Sequence, residues 1–232
     1  MPTTNFPDGV TNADVNGVLA SLIFEDPTRE HTYFNDFDTY VAADWVVTAV
    51  GAGTAALTAG DGGLLLLTNA AADDNSLVLQ KTPAAFAMTA NKQAWFSCKF
   101  RVSDATQSDI MMGLVIVNTT PIASPPTDGI YFLKNDGVAT IDIICRKNTT
   151  TGSNSKTSIA TLANATNITL QWYYDGNGRV FYGVNGVLVG SMDASSSYLP
   201  DATNLTVTMV CQNGEAVAKT MTIDYIMAAI ER

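Results

Sequence analysis

The chain is poor in the residues that most often carry chemistry. A single histidine, His31, occurs in 232 residues, and only three cysteines, Cys98, Cys145 and Cys211. A Ser-His-Asp or Cys-His system would have to be built on His31, and no GxSxG setting accompanies it. The cysteines show no CxxC spacing and sit inside alternating apolar runs, "WFSCKF", "DIICRK" and "VTMVCQN". Buried free thiols in strands are the expectation, in keeping with assembly in a reducing cytoplasm.

Charge is scarce as well. Charged residues make up 15% of the chain, below the usual quarter or so, and the balance is acidic at −10 with 12 Lys and Arg. Nucleic-acid binding needs clustered cations, and "CRK" at Cys145 to Lys147 is the nearest approach to one, so nucleic acid is excluded as a partner. Long apolar runs are missing too: "GLLLLTNAA" is too short to span a bilayer and no basic amphipathic helix is visible, which argues against a membrane. The first Lys or Arg is Arg29, so the start lacks the basic residues of a secretory signal. Five Asn-x-Ser/Thr sequons, at Asn118, Asn148, Asn164, Asn167 and Asn204, arise by chance in a chain this rich in Asn and Thr.

What is abundant is strand. Hydrophobic residues reach 47%, enough for a sizeable core. In "AWFSCKFRV", Phe96, Cys98, Phe100 and Val102 share one face while Trp95, Ser97, Lys99 and Arg101 share the other. "NLTVTMVCQ" sets Leu205, Val207, Met209 and Cys211 opposite Thr206, Thr208 and Gln212, and "NITLQWYYD", "ATIDIICRK" and "MTIDYIMAAI" repeat the pattern. Turn chemistry separates the runs: Asp175-Gly176-Asn177-Gly178, Asn185-Gly186, Asp136-Gly137 and Asp61-Gly62-Gly63. "NTTPIASPPTDG" and "KNTTTGSNSKTS" read as long exposed connections. The expectation is an all-β antiparallel jelly-roll β-sandwich over residues 33–232, preceded by an extended N-terminal arm over residues 1–32. The arm holds "NFPDGVTNADVNGVL", whose apolar residues keep neither the helical nor the strand period.

Candidate sites are few. Glycoside hydrolysis needs paired carboxylates, and no Glu-x-Asp-x-Glu strand is present, since Glu25 and Glu30 lie at the arm junction, Glu215 in a hairpin turn and Glu231 at the end. Asp36 and Asp38 in "FNDFDTY" share a strand face on this reading and solvate it or meet a partner. Asp73-Asp74-Asn75 and "DGNG" offer oxygen ligands for calcium, yet these are also the favoured turn residues, so no metal and no cofactor is expected. Trp95, Tyr173 and Phe181 have the parity to stand opposite the core, as aromatics for a glycan or as interface anchors.

Two resemblances extend this reading. "WYYDGNGRVFYGVNGVLVGSMD" resembles the hairpin of concanavalin-like jelly rolls, which are shared by lectins, laminin-G-type modules and viral proteins. "TNFPDGVTNA", "DPTREHTYFNDFDTY" and the closing "TIDYIMAAIER" resemble the decoration (cement) proteins of tailed bacteriophages. The second resemblance implies a non-enzymatic virion protein made in the host cytoplasm. It would bind as a homo-oligomer, dimer or trimer, to the outer surface of the major capsid protein shell and bridge capsomers. On that reading Asn5, Phe6, Pro7, Asp8, Gly9, Val10 and Val15 of the arm lie against capsid or sister subunits. The alternative is a phage tail, fibre or lectin-like module that binds carbohydrate, such as host surface glycans, through the sheet-face aromatics.

Overall fold

A computed structural model describes Val18, residues 29–149 and residues 154–232. The described residues form two antiparallel sheets. Their strands in chain order are β1 (Glu30–Asn35), β2 (Trp45–Val50), β3 (Thr54–Thr58), β4 (Leu64–Thr68), β5 (Ser76–Lys81), β6 (Ala94–Val102), β7 (Ser108–Val115) and β8 (Gly129–Lys134). They continue with β9 (Thr140–Arg146), β10 (Ser155–Thr161), β11 (Ile168–Tyr174), β12 (Arg179–Val184), β13 (Val187–Asp193), β14 (Thr206–Asn213) and β15 (Thr220–Glu231). The only helical element among them is a 3-10 turn at Ala42–Asp44. The first strand begins at Glu30, slightly before the arm boundary read from the sequence.

One sheet runs β13-β12-β11-β6-β15-β4-β3, with β1 also paired to β15; the other runs β10-β9-β8-β7-β14-β5-β2. Connections such as β5 to β6, β6 to β7 and β13 to β14 cross between the sheets, which makes the pair a jelly-roll sandwich. The last strand spans two partners on one edge. Its Thr220–Ile223 pairs with β4, and Ile226–Glu231 pairs with β1, with a bulge between Ile223 and Tyr225 where the partner changes.

The alternation read from the sequence sets the two faces. Phe96, Cys98 and Phe100 of β6 pack inward against Leu170 and Trp172 of β11 and against Val207, Met209 and Cys211 of β14 in one core. Phe96 and Trp172 stack there with ring centroids 5.9 Å apart. All three cysteines are free and buried, as expected. The hairpin turns also form where the turn residues lie. Asn185 (φ 52°) and Gly186 (φ 81°) both adopt the positive φ that a tight β12–β13 turn demands.

The two presumed exposed connections differ from that expectation. Residues 116–128 fold back over the outer face of the β7-β14-β5 sheet, burying Pro121, Pro126 and Asp128. The cause is visible in the strands beneath. Val78, Met111, Val115, Tyr131 and Val210 form a second apolar cluster on that outer face, with Ile122 of the loop packed against it. A face this apolar is stabilised by a cover. In the other segment, Ser155–Thr161 is strand β10, so the connection from Lys147 is shorter than the sequence suggests.

Candidate functional site

The arm residues named from the sequence, Asn5, Phe6, Pro7, Asp8, Gly9, Val10 and Val15, lie outside the described residues. Of residues 1–28 Val18 alone is described: it is buried, 5% exposed, against β12. A Cβ at Gly183 would collide with its Cγ2, so the absent side chain of Gly183 makes room for it. Phe181 and Gly183 point away from the core on this strand, because Val180 and Tyr182 point into it.

Trp95, Tyr173 and Phe181 stand on the same outer face of the larger sheet, as their parity requires. They stack in a row across β6, β11 and β12, with centroids 5.6 Å apart for Trp95–Tyr173 and 6.1 Å for Tyr173–Phe181. Gln93 Nε2 donates to the Tyr173 hydroxyl at 2.5 Å. Tyr173 and Phe181 are half-buried, whereas Trp95 is 1% exposed and packs with Met227 and Ala229. The row therefore presents its β11 and β12 members, with Trp95 as their backing.

The other candidates are dispersed. Asp36 and Asp38 do not share a strand face: β1 ends at Asn35, and Phe37 between them turns at φ 53° to bury its ring in the core. Asn35 Oδ1 accepts from the Phe37 amide at 2.8 Å and holds that turn. Asp36 borders a shallow depression of about 230 Å³ with Asp61, Asp224 and Lys99, where Lys99 Nζ lies 2.9 Å from Asp224. Asp38 borders a neighbouring depression. His31 is on β1 with its ring 4.8 Å from that of Phe86, and burial followed by the nearby Arg232 charge lowers its pKa. That favours a neutral packing ring over an acid. Glu215 pairs with Lys219 in its turn. Asp175 is occupied by the Asn177 and Arg179 amides of its hairpin, and Gln212 donates to Asp74. Among the described residues no three His, Cys, Asp or Glu groups are placed to hold a metal ion. None of their helices is long and apolar enough to cross a membrane.

A feature absent from the sequence-based list is the edge where β2 closes one sheet and β3 the other. Among the described residues each has one strand partner, β5 and β4 respectively, so no described strand pairs with its second hydrogen-bonding edge. Val47 pairs with Leu79 and Leu57 with Leu65, both core residues, so Val47 and Leu57 face inward. They nevertheless remain 44% and 46% exposed. The sandwich is thus open along this seam, and Val46 and Val50 add apolar surface on the outside of β2. The sequence signal was available: Trp45 to Gly60 contains no charged residue and no proline. Charge and proline, two of the devices that shield an edge strand, are missing there.

No protein-family model matches the chain, and no curated protein matches it in sequence. Solved structures match its fold. Peanut lectin superposes with a TM-score of 0.61 at 11% identity over 87% of this chain and 97% of the lectin. An endo-1,3-beta-glucanase from Streptomyces sioyaensis gives 0.60 at 13% identity over 89% and 98%. An endo-beta-1,4-glucuronan lyase from the fungus Trichoderma reesei gives 0.57 at 11% identity over 84% and 94%. Lectins and enzymes alike share this architecture, and the likeness is one of fold. The chain has a concanavalin-like jelly-roll β-sandwich, a scaffold that serves binding proteins and enzymes equally.

Proposed function

We propose that this chain is a non-enzymatic virion structural protein, a decoration (cement) protein. It is made in the host cytoplasm, binds as a homo-oligomer to the outer surface of the major capsid protein shell, and bridges capsomers. The observation that carries the reading is the open seam at β2 and β3. Uncharged, aliphatic and, among the described residues, unpaired on its outer edges, it suits lasting contact with protein better than a solvated life on a monomer. The arm adds a second attachment, in which Phe6, Val10 and Val15 find apolar pockets on a partner. Many copies on a lattice convert modest contacts into strong retention.

The test is the copy number of the protein relative to the major shell protein in purified particles, by quantitative mass spectrometry. It is run for the full chain, for a chain lacking residues 1–20, and for Val47→Lys. A count comparable to the shell protein that falls sharply in both variants supports attachment through arm and seam. A trace count for the full chain overturns the reading.

The aromatic row favours a second reading, a carbohydrate-binding module. Tyr173 and Phe181 offer stacked rings on an outer sheet face, the kind of platform on which a sugar ring packs. Glycan binding that survives loss of residues 1–20 and disappears in Tyr173→Ala and Phe181→Ala would select it over decoration.

A further inference from the structure

The outer face of the smaller sheet carries a cavity of about 430 Å³ between the strands and the folded-back loop. Its floor is Val78 of β5 and Val210 of β14, directly paired, and its cover is Pro121 and Ile122. The next row of the sheet sets Ser76, Gln212 and Asp109 side by side across β5, β14 and β7. Asp74 and Asp136 enter from turns at the end of the sheet.

Three carboxylates therefore meet one apolar cavity. None has a Lys or Arg at ion-pair distance among the described residues. Asp109 is 4% exposed. Its Oδ1 accepts from the Asp136 amide at 2.7 Å, while its Oδ2 accepts no hydrogen bond from the described residues. Burial pushes the Asp109 carboxyl up, the Asp136 amide pulls it partly back, the Asp136 charge raises it, the Lys134 charge lowers it and the Asp74 charge adds to the rise, for a net shift upward. The nearest cation, Lys134, is turned away into the sandwich, where its Nζ donates to the carbonyls of Thr106 and Ser108. A nearly buried carboxylate whose one nearby cation acts only through space, without direct contact, is costly, and a cation entering the cavity reduces that cost.

The rest of the lining selects the kind of cation. Among the described residues no aromatic ring lines the cavity, so they offer a sugar no stacking surface there. Carboxylates only accept hydrogen bonds, which favours a ligand rich in donors. The aliphatic floor favours one whose charge sits on an alkyl stem, the build of lysine and arginine side chains. We infer that this cavity receives the ammonium or guanidinium group of a basic side chain presented by a protein partner, with the stem against Val78, Val210 and Ile122. The inference concerns the isolated chain and does not depend on the virion reading.

The test uses the full chain and four probes: N-acetyl-lysine methylamide, N-acetyl-arginine methylamide, the uncharged N-acetyl-norleucine methylamide, and putrescine as a free polyamine. Binding is followed by amide NMR shifts and calorimetry. A blocked lysine or arginine should bind saturably, shifting the amides of Val78, Ile122 and Val210, at least tenfold more tightly than the norleucine probe. Asp109→Asn should weaken it about tenfold or more, and Asp74→Asn and Asp136→Asn, at exposed turns that tolerate the change, should each weaken it several-fold. Equal binding of norleucine, binding unchanged in all three variants, or no saturable shift at these amides would overturn the inference. Putrescine binding tenfold more tightly than either blocked residue would overturn the protein partner in favour of a free polyamine.

Discussion

Lys134 shows how one residue can be tolerated in a core at a cost that pH reveals. It is buried at the end of β8, with Nζ donating to two backbone carbonyls, and burial lowers its pKa from 10.5 to about 8. Between those values the unfolded chain holds more protons at this site than the folded one, so its contribution to stability rises with pH across that window. Subtracting the pH dependence of Lys134→Met from that of the parent should isolate a rise between about pH 8 and 10.5, read from urea midpoints. Asp104 has the same slope with pH, but stabilises the fold where Lys134 costs it. Its Oδ1 accepts from the Gln107 and Thr106 amides and its Oδ2 from Lys219 Nζ at 2.7 Å, which hold its pKa down from 3.8 to about 2. Its stabilisation is complete above the ordinary value and is lost as pH falls through about 2. Asp104→Asn should cost roughly 1–3 kcal/mol at neutral pH, and the gap to the parent should close on acidification. The thiols of Cys145 and Cys211 are pushed up to about 12 by burial, and that of Cys98 is raised by the same cause. All three should resist a thiol reagent at pH 8 until the chain is unfolded.

At the scale of elements, the β12–β13 hairpin isolates a backbone effect. Gly186 has φ 81°, and nothing lies within 4 Å of the position a Cβ would take. Gly186→Ala therefore meets no steric clash with the rest of the protein and pays only for the left-handed backbone. A loss of about 1 kcal/mol, or a Tm lower by roughly 2–4 °C, is expected by calorimetry. The seam between edge strands β2 and β3 is the contrasting case, because its exposed Val47 and Leu57 contribute little to the isolated fold. Leu57→Lys should leave Tm nearly unchanged while abolishing any association through this edge, as read by sedimentation velocity.

For the whole molecule, a net charge of −10 and an uncharged seam act together. Two like-charged bodies repel at long range, and the proposed contact through the seam would join them by a strip that carries no charge of its own. Association of free copies through the seam should strengthen from low to high salt, as screening reduces the repulsion. A contact built on surface ion pairs would weaken instead. Sedimentation across a salt series distinguishes the two.

Most strands and turns were legible from residues alone. The period of two in β6 and β14 places side chains on alternate faces whatever the rest of the chain does, and Asn185-Gly186 is a hairpin turn for local steric reasons. The burial of the cysteines and the parity of Trp95, Tyr173 and Phe181 followed from the same periodicity. Other features depend on what packs across space. Asp36 and Asp38 read as strand neighbours because nothing local shows that Phe37 is drawn into the core. Residues 116–128 read as an exposed loop because their cover of Val78, Met111 and Val210 is a long-range contact. The open seam and the acidic cavity likewise exist only once β2 and β3 end their sheets and β5, β14 and β7 align Ser76, Gln212 and Asp109. Local alternation and turn chemistry determined that this is a β-sandwich; strand order, a non-local choice, decided where its core stays open and where its carboxylates meet.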